Sequence, residues 1–97
     1  MVQEPHDALR VEALEEIYRG HYGRFLRVAL AIVGERETAQ EVVQEAFAKA
    51  IRSRFDFRRE GSPEAWMWAI VVNLARNTRA SRDATTTRDR LDGGLGH

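Results

Sequence analysis

Cysteine is absent from all 97 residues. That excludes a disulfide framework, a thiolate nucleophile and a cysteine-based zinc site, and it suits a reducing compartment. No apolar run comes near the roughly 20 residues needed to cross a bilayer. The opening Met1-Val2-Gln3-Glu4-Pro5 lacks the character of a signal peptide, so a cytoplasmic protein is expected. Histidine is scarce: His6, His21 and His97 have no partner at ligand spacing, and His21 reads as a packed or partly exposed side chain. Glu41 and Glu45 stand four apart, but a di-metal bundle also needs a Glu-x-x-His on other helices, and none exists. No glycine-rich phosphate loop follows a strand, and no serine has an activating neighbourhood. The expectation is therefore no catalytic residue, no metal, no cofactor and no enzyme.

Net charge is zero too, which would ordinarily argue against nucleic acid as a partner. Its distribution is uneven. Residues 1–51 carry six basic side chains against nine acidic ones, a difference of −3. From Arg52 to Arg82 seven arginines face Asp56, Glu60 and Glu64, a difference of +4. Every basic residue after Lys49 is arginine, the type that forks onto phosphate and stacks on bases. Solvated helix faces that happen to differ would look the same on charge alone.

What remains is a chain of 97 residues with 43% hydrophobic content, enough for one small domain with a real core. Residues 1–8 read as a flexible leader, with Asp7 able to cap a helix beginning near Ala8. From Leu9 the positions Leu14, Ile17, Tyr18, His21, Phe25, Val28, Ala29 and Ile32 hold a helical period to Val33. Gly20 and Gly23 interrupt it, so a bend or a close helix crossing is expected there. Gly34 suits the left-handed residue that ends a helix. A second helix runs to about Arg52. Ala39, Val42, Val43, Ala46, Phe47, Ala50 and Ile51 make its core stripe, and Gln40, Glu41, Gln44, Glu45 and Lys49 its polar face.

Ser53 to Gly61 has no stripe and reads as a loop. Ser62-Pro63-Glu64 then gives a hydroxyl cap, a proline where its missing N–H does no harm, and a carboxylate in the first turn. The third helix continues to about Ser81, its first half apolar on nearly all sides and expected to be the most buried part of the chain. Residues 83–97 read as a disordered tail or a truncated linker. The fold class is all-α: a compact three-helix bundle over residues 9–82, with an ordered loop between helices two and three.

Two surfaces of this bundle invite a partner. The loop interleaves aromatics and arginines (Phe55, Phe57, Arg58, Arg59), the ingredients for holding unpaired nucleic acid. The competing reading folds the rings inward, which is favoured for Phe55 and balanced for Phe57. On the third helix Asn73 and Asn77 are four apart with Arg76 and Arg79 near the same side. Amides suit base edges and guanidinium groups suit phosphates, although caps and surface decoration are the plainer explanation.

Taken together the stretches resemble region 2 of bacterial RNA polymerase sigma factors, in particular the extracytoplasmic function (ECF) group. The resemblance runs from about Leu14 to Arg82. It rests on Leu14-Glu15-Glu16-Ile17-Tyr18 with His21-Tyr22, Gly34, Glu41-Val42-Val43-Gln44-Glu45-Ala46-Phe47, Phe57-Arg58, Gly61-Ser62, and Ala65-Trp66-Met67-Trp68-Ala69-Ile70-Val71-Val72-Asn73-Leu74-Ala75. It implies a transcription initiation domain. Glu41, Gln44 and Glu45 would dock on the clamp coiled coil in the largest subunit of core RNA polymerase. The loop Phe57, Arg58, Arg59, Glu60, Gly61 and Ser62 would hold a base flipped from the non-template strand of the promoter minus-ten element. Trp68, Asn73, Arg76, Asn77 and, from the reading above, Arg79 would contact neighbouring bases and backbone. An anti-sigma factor is an expected further partner; insertion in a membrane is not.

The sequence also departs from that pattern. Glu41 stands where aspartate is usual, and Ala69 and Val72 occupy positions that are often basic. No second helical domain for the minus-thirty-five element follows, so weak promoter binding by this domain alone is expected, because tethered contacts can gain about 10²–10⁴ in avidity. Two alternatives follow: a helical protein-interaction module that binds polymerase or an anti-sigma factor without its own DNA recognition, and an unrelated domain that lays its third helix in a duplex groove.

Overall fold

The structure, a computed structural model, describes residues 9–58 and 61–95. Among these there are three α-helices, α1 (Val11–Val33), α2 (Arg36–Arg52) and α3 (Pro63–Leu95), a 3-10 turn (Arg54–Asp56) and no strand. Each helix packs on the other two. The expected leader at residues 1–8, including Asp7 as a cap, lies outside the described residues; α1 opens after Arg10, whose backbone is extended (φ −78°, ψ 146°), with no side-chain cap.

Helix α1 ends where the sequence places its stop. Gly34 adopts φ +78°, ψ 3°, and its N–H donates to the Leu30 carbonyl at 2.8 Å. Two residues later α2 begins. Its stripe Ala39, Val42, Val43, Ala46 and Ala50 is buried, while Phe47 and Ile51 are half-buried at the margin. Leu14, Ile17, Phe25 and Ala29 of α1 and Met67, Val71 and Ala75 of α3 complete one core. Five of these twelve residues are alanines with no exposed surface, which lets the helices approach closely. Phe25, Leu14 and Met67 are the bulkiest fully buried side chains, each contributing roughly 1.5–3 kcal/mol by leaving water. Tyr18 stacks on Phe47 (centroids 4.4 Å, 25° between planes), tying α1 to α2 beside this core.

Three expectations change. Helix α1 runs unbroken through Gly20 and Gly23, and a Cβ at either position would meet nothing within 4 Å, so among the described residues no helix crosses closely there. Between Pro63 and Ala84 of α3, the residues whose burial is described, only Met67, Val71 and Ala75 are buried in the core; Trp66, Trp68, Ile70, Val72 and Leu74 are half-buried and Ala69 is exposed. A three-helix bundle covers one arc of each helix, so apolar residues all round α3 leave two partly bare flanks. Finally, α3 continues past Ser81 to Leu95. No proline or glycine interrupts residues 64–92, so nothing ends the hydrogen-bonded ladder near Ser81, and the helix includes Gly93 and Gly94 before it stops.

Candidate nucleic-acid and partner interfaces

The start of α3 organises the first site. The Ser62 hydroxyl accepts the Ala65 N–H at 3.0 Å, and the Ser62 carbonyl accepts the Trp66 N–H at 3.0 Å, so the cap forms as its residues dictate. Upstream, the Gly61 N–H donates to the Arg58 carbonyl at 3.4 Å, closing a turn. Phe57 leaves the 3-10 turn in extended geometry (φ −65°, ψ 131°) and points inward, 6% exposed, against the edge of Trp66. Asp56, Phe57, Arg58, Gly61, Ser62, Ala65 and Trp66 thereby wall an open cleft of about 450 Å³. Arg58 is exposed at its rim; Arg59 and Glu60 lie outside the described residues.

Phe55, expected to fold inward, is the exposed ring, and Phe57, balanced between the two readings, is the buried one. Phe57 is the anchor, and Phe55 is 57% exposed with the Arg54 guanidinium 4.5 Å from its ring centroid. The 3-10 turn rotates successive side chains by about 120° and Phe57 leaves it in extended geometry, so two rings only two positions apart face different ways.

Along α3 the expected contacts divide between two flanks. Asn73 and Asn77 are exposed and lie seven and eleven residues beyond Trp66, within roughly 20° of its direction at 3.6 residues per turn. They continue the line of the cleft, with half-buried Ile70 between and exposed Arg76 to one side. Arg79 is turned about 120° from Asn73, and its Nε lies 3.8 Å from the Asp83 carboxylate. Trp68 faces α1. The Arg24 guanidinium covers its ring at 5.4 Å, Phe25 packs beside it at 6.2 Å, and His21, Arg24, Phe25, Glu64, Ala65 and Trp68 line a second open cleft of about 300 Å³. The structure thus joins Phe57, Arg58, Gly61 and Ser62, aligns Asn73 and Asn77 with them with Arg76 to one side, and sets Trp68 and Arg79 apart. Trp66 and Ala65 complete the cleft but were not among the expected contacts; the capped start at Ser62, which places Trp66 over the preceding loop, was the signal for them.

The polar face of α2 forms the other surface. Glu41, Gln44 and Glu45 are all exposed. Glu45 is bound by Arg52 of its own helix (Oε2 to Nη2, 3.1 Å), whereas Glu41 has no ion pair among the described residues. Glu41 and Glu45 border a groove of about 280 Å³ with Thr38, Val42, Leu74 and Thr78, so the strip adjoins α3. At the top of that groove Arg82 donates to the Thr38 hydroxyl at 3.4 Å and approaches the Glu35 carboxylate at 3.9 Å. The Thr38 hydroxyl in turn donates to Glu35, and this bond, followed by the charge of Arg82, lowers the Glu35 pKa. Among the described residues no group of three acidic or histidine side chains could hold a metal ion, and no helix is long and apolar enough to cross a membrane.

Residues 17–85 match the family model for sigma-70 region 2. The chain is similar to RNA polymerase sigma-H factor of Pseudomonas aeruginosa, 34% identical over 59 residues that cover 61% of this chain and 31% of the relative. It is similar to RNA polymerase sigma factor YlaC of Bacillus subtilis (29% over 60 residues, 62% and 35%). A third relative is the ECF RNA polymerase sigma factor SigE of Mycolicibacterium smegmatis (29% over 68 residues, 70% and 26%). The matched parts span about a third or less of these curated relatives. No solved structure matches the chain significantly.

Proposed function

The chain belongs to the sigma-70 region 2 family, and from that premise we propose that it is a transcription initiation domain that binds core RNA polymerase through α2 and captures an unpaired promoter base beside α3. The observation that carries this reading is the cleft of about 450 Å³ at the start of α3, with the exposed Asn73 and Asn77 further along the same side of that helix. A cleft of that size accepts one base. The Trp66 ring supplies a half-buried apolar wall, Arg58 a charge at the rim for phosphate, and the two amides further along α3 offer paired donors and acceptors to the next bases. Holding the base and strand offsets the few kcal/mol needed to unstack and unpair it. The ligand is the non-template strand of the minus-ten element.

The polymerase surface is Glu41, Gln44 and Glu45, for which the clamp coiled coil is the proposed partner. All three are exposed on a helix whose opposite face is fixed in the core, so the strip is presented rigidly. Trp68 and Arg79, on the α1 flank, stand outside the base-capture path and would touch only strand that wraps around the start of α3.

The test is a fluorescence titration of non-template oligonucleotides in which each minus-ten base is replaced in turn by an abasic residue. One position should dominate the loss of affinity, and Trp66→Ala should erase that position's effect. Polymerase binding with no strand preference would support instead the protein-interaction module, for which exposed Ala69 and half-buried Val72, at positions that the family pattern often makes basic, are the favouring observation.

A further inference from the structure

Among the described residues Val11 and Phe55 are the large apolar side chains left exposed, and Phe55, at 57%, is much the more open. Burial in the bundle does not account for it. Its setting is built rather than loose. The Arg54 guanidinium lies 4.5 Å from the ring centroid, and Nη1 of the same group donates to the Ile51 carbonyl at 2.7 Å, in the last turn of α2. The Arg54 carbonyl accepts the Leu9 N–H at 3.2 Å, and the Phe57 N–H at 3.4 Å, so the turn is pinned from both sides. Arg54 thus fixes one face of the ring while the other remains available.

Phe55 also adjoins the cleft. Asp56, the next residue, is part of its wall, and consecutive Cα atoms are about 3.8 Å apart. Arg54 and Arg58 flank the position, and Asp56 is the one acidic group between them. An aromatic face in a cationic setting, one residue from a base-sized cleft, has the chemistry of a stacking platform for unpaired nucleic acid.

We propose that Phe55, backed by Arg54, stacks a second unpaired base of the strand whose neighbouring base occupies the cleft. The inference rests on the base-capture reading and extends it from one nucleotide to a short track. Arg54 contributes twice: its plane polarises the covered face of the ring, and its charge draws the backbone of the same strand.

The experiment compares three single-stranded oligonucleotides by fluorescence anisotropy with the whole chain: a core strand ending at the captured base, and the same strand extended by two nucleotides on its 5′ or on its 3′ side. The expected result is that one extension tightens binding and that Phe55→Ala removes that gain, about five- to a hundred-fold for one stacked base, while the core strand binds wild type and variant alike. Phe55→Tyr should retain the gain. Equal effects of Phe55→Ala on all three strands, or none on any, overturn the inference while leaving base capture in place. Loss of polymerase binding by Phe55→Ala with strand affinities unchanged also overturns it and makes the ring a protein contact. If the core strand itself shows no binding, base capture fails and this inference fails with it.

Discussion

The rings of Phe57 and Trp66 meet edge to face, centroids 5.7 Å apart and planes at 68°. That contact joins the loop after α2 to the first turn of α3 and so sets the width of the cleft. Phe57→Ala should cost about 3 kcal/mol or more, as deletions of buried phenylalanine do. A double-mutant cycle with Trp66→Ala should leave a coupling of about 0.5–1.5 kcal/mol for the aromatic pair. Urea denaturation of the four proteins measures both. Additive losses would mean that the rings stand beside one another without supporting the loop.

Stability and partner binding should separate on α2. Glu45 and its partner Arg52 are both more than half exposed, so their pair contributes at most a few tenths of a kcal/mol. Gln44→Ala and Glu45→Lys should therefore unfold at nearly the wild-type denaturant midpoint. In a pull-down of core polymerase both should be markedly weaker. Normal retention of polymerase by both variants would remove α2 as the docking face.

The tie between Glu35, Thr38 and Arg82 should make stability depend on pH in one direction. The Thr38 hydroxyl first, and Arg82 after it, hold the Glu35 carboxyl below its ordinary value of about 4.3. A carboxyl whose folded pKa is depressed adds stability that is complete above the unfolded value and is lost as pH falls through the folded one. Glu35→Gln should therefore lower Tm slightly at pH 7, and the wild-type and variant curves should converge as the pH falls through the depressed pKa of Glu35. An offset that persists into acid would assign the effect to something other than ionisation. The Glu35 side chain is about half exposed, so added salt should shrink the neutral-pH difference.

Much of this architecture was legible because local signals and the hydrophobic pattern agree. Ala39 to Ala50 mark the buried stripe of α2, Gly34 its upstream boundary, and Ser62-Pro63 the start of α3. The loop was less legible. Phe55 and Phe57 are the same residue type two positions apart, and only the 3-10 turn between α2 and the cleft decides which one enters. Nor could an apolar segment such as Trp66 to Leu74 show which arc of the helix would be covered. That depends on where α1 and α2 sit around it, and it is why Trp68 and Asn73, both expected at one surface, stand on different flanks. The end of α3 was hidden for the opposite reason: residues 82–91 carry no strong helix signal and no breaker.

Glycine substitutions in and after α1 should change stability with opposite signs. Gly34 has φ +78°, a conformation in which any Cβ crowds the following carbonyl, so Gly34→Ala should cost roughly 1–2 kcal/mol although nothing else lies within 4 Å. Gly20 and Gly23 sit inside the helix with ordinary backbone, exposed, and with open space where a Cβ would go. There alanine only removes freedom from the unfolded chain and shields the helix backbone, so each substitution should add up to about 1 kcal/mol. The double variant Gly20→Ala/Gly23→Ala should be close to additive, because neither methyl group meets the other or a neighbouring helix. Thermal unfolding followed by circular dichroism distinguishes the two cases directly. Destabilisation by alanine at position 20 or 23 would show that α1 is bent or closely approached at its glycines in solution, and would overturn the open, regular helix described for that face.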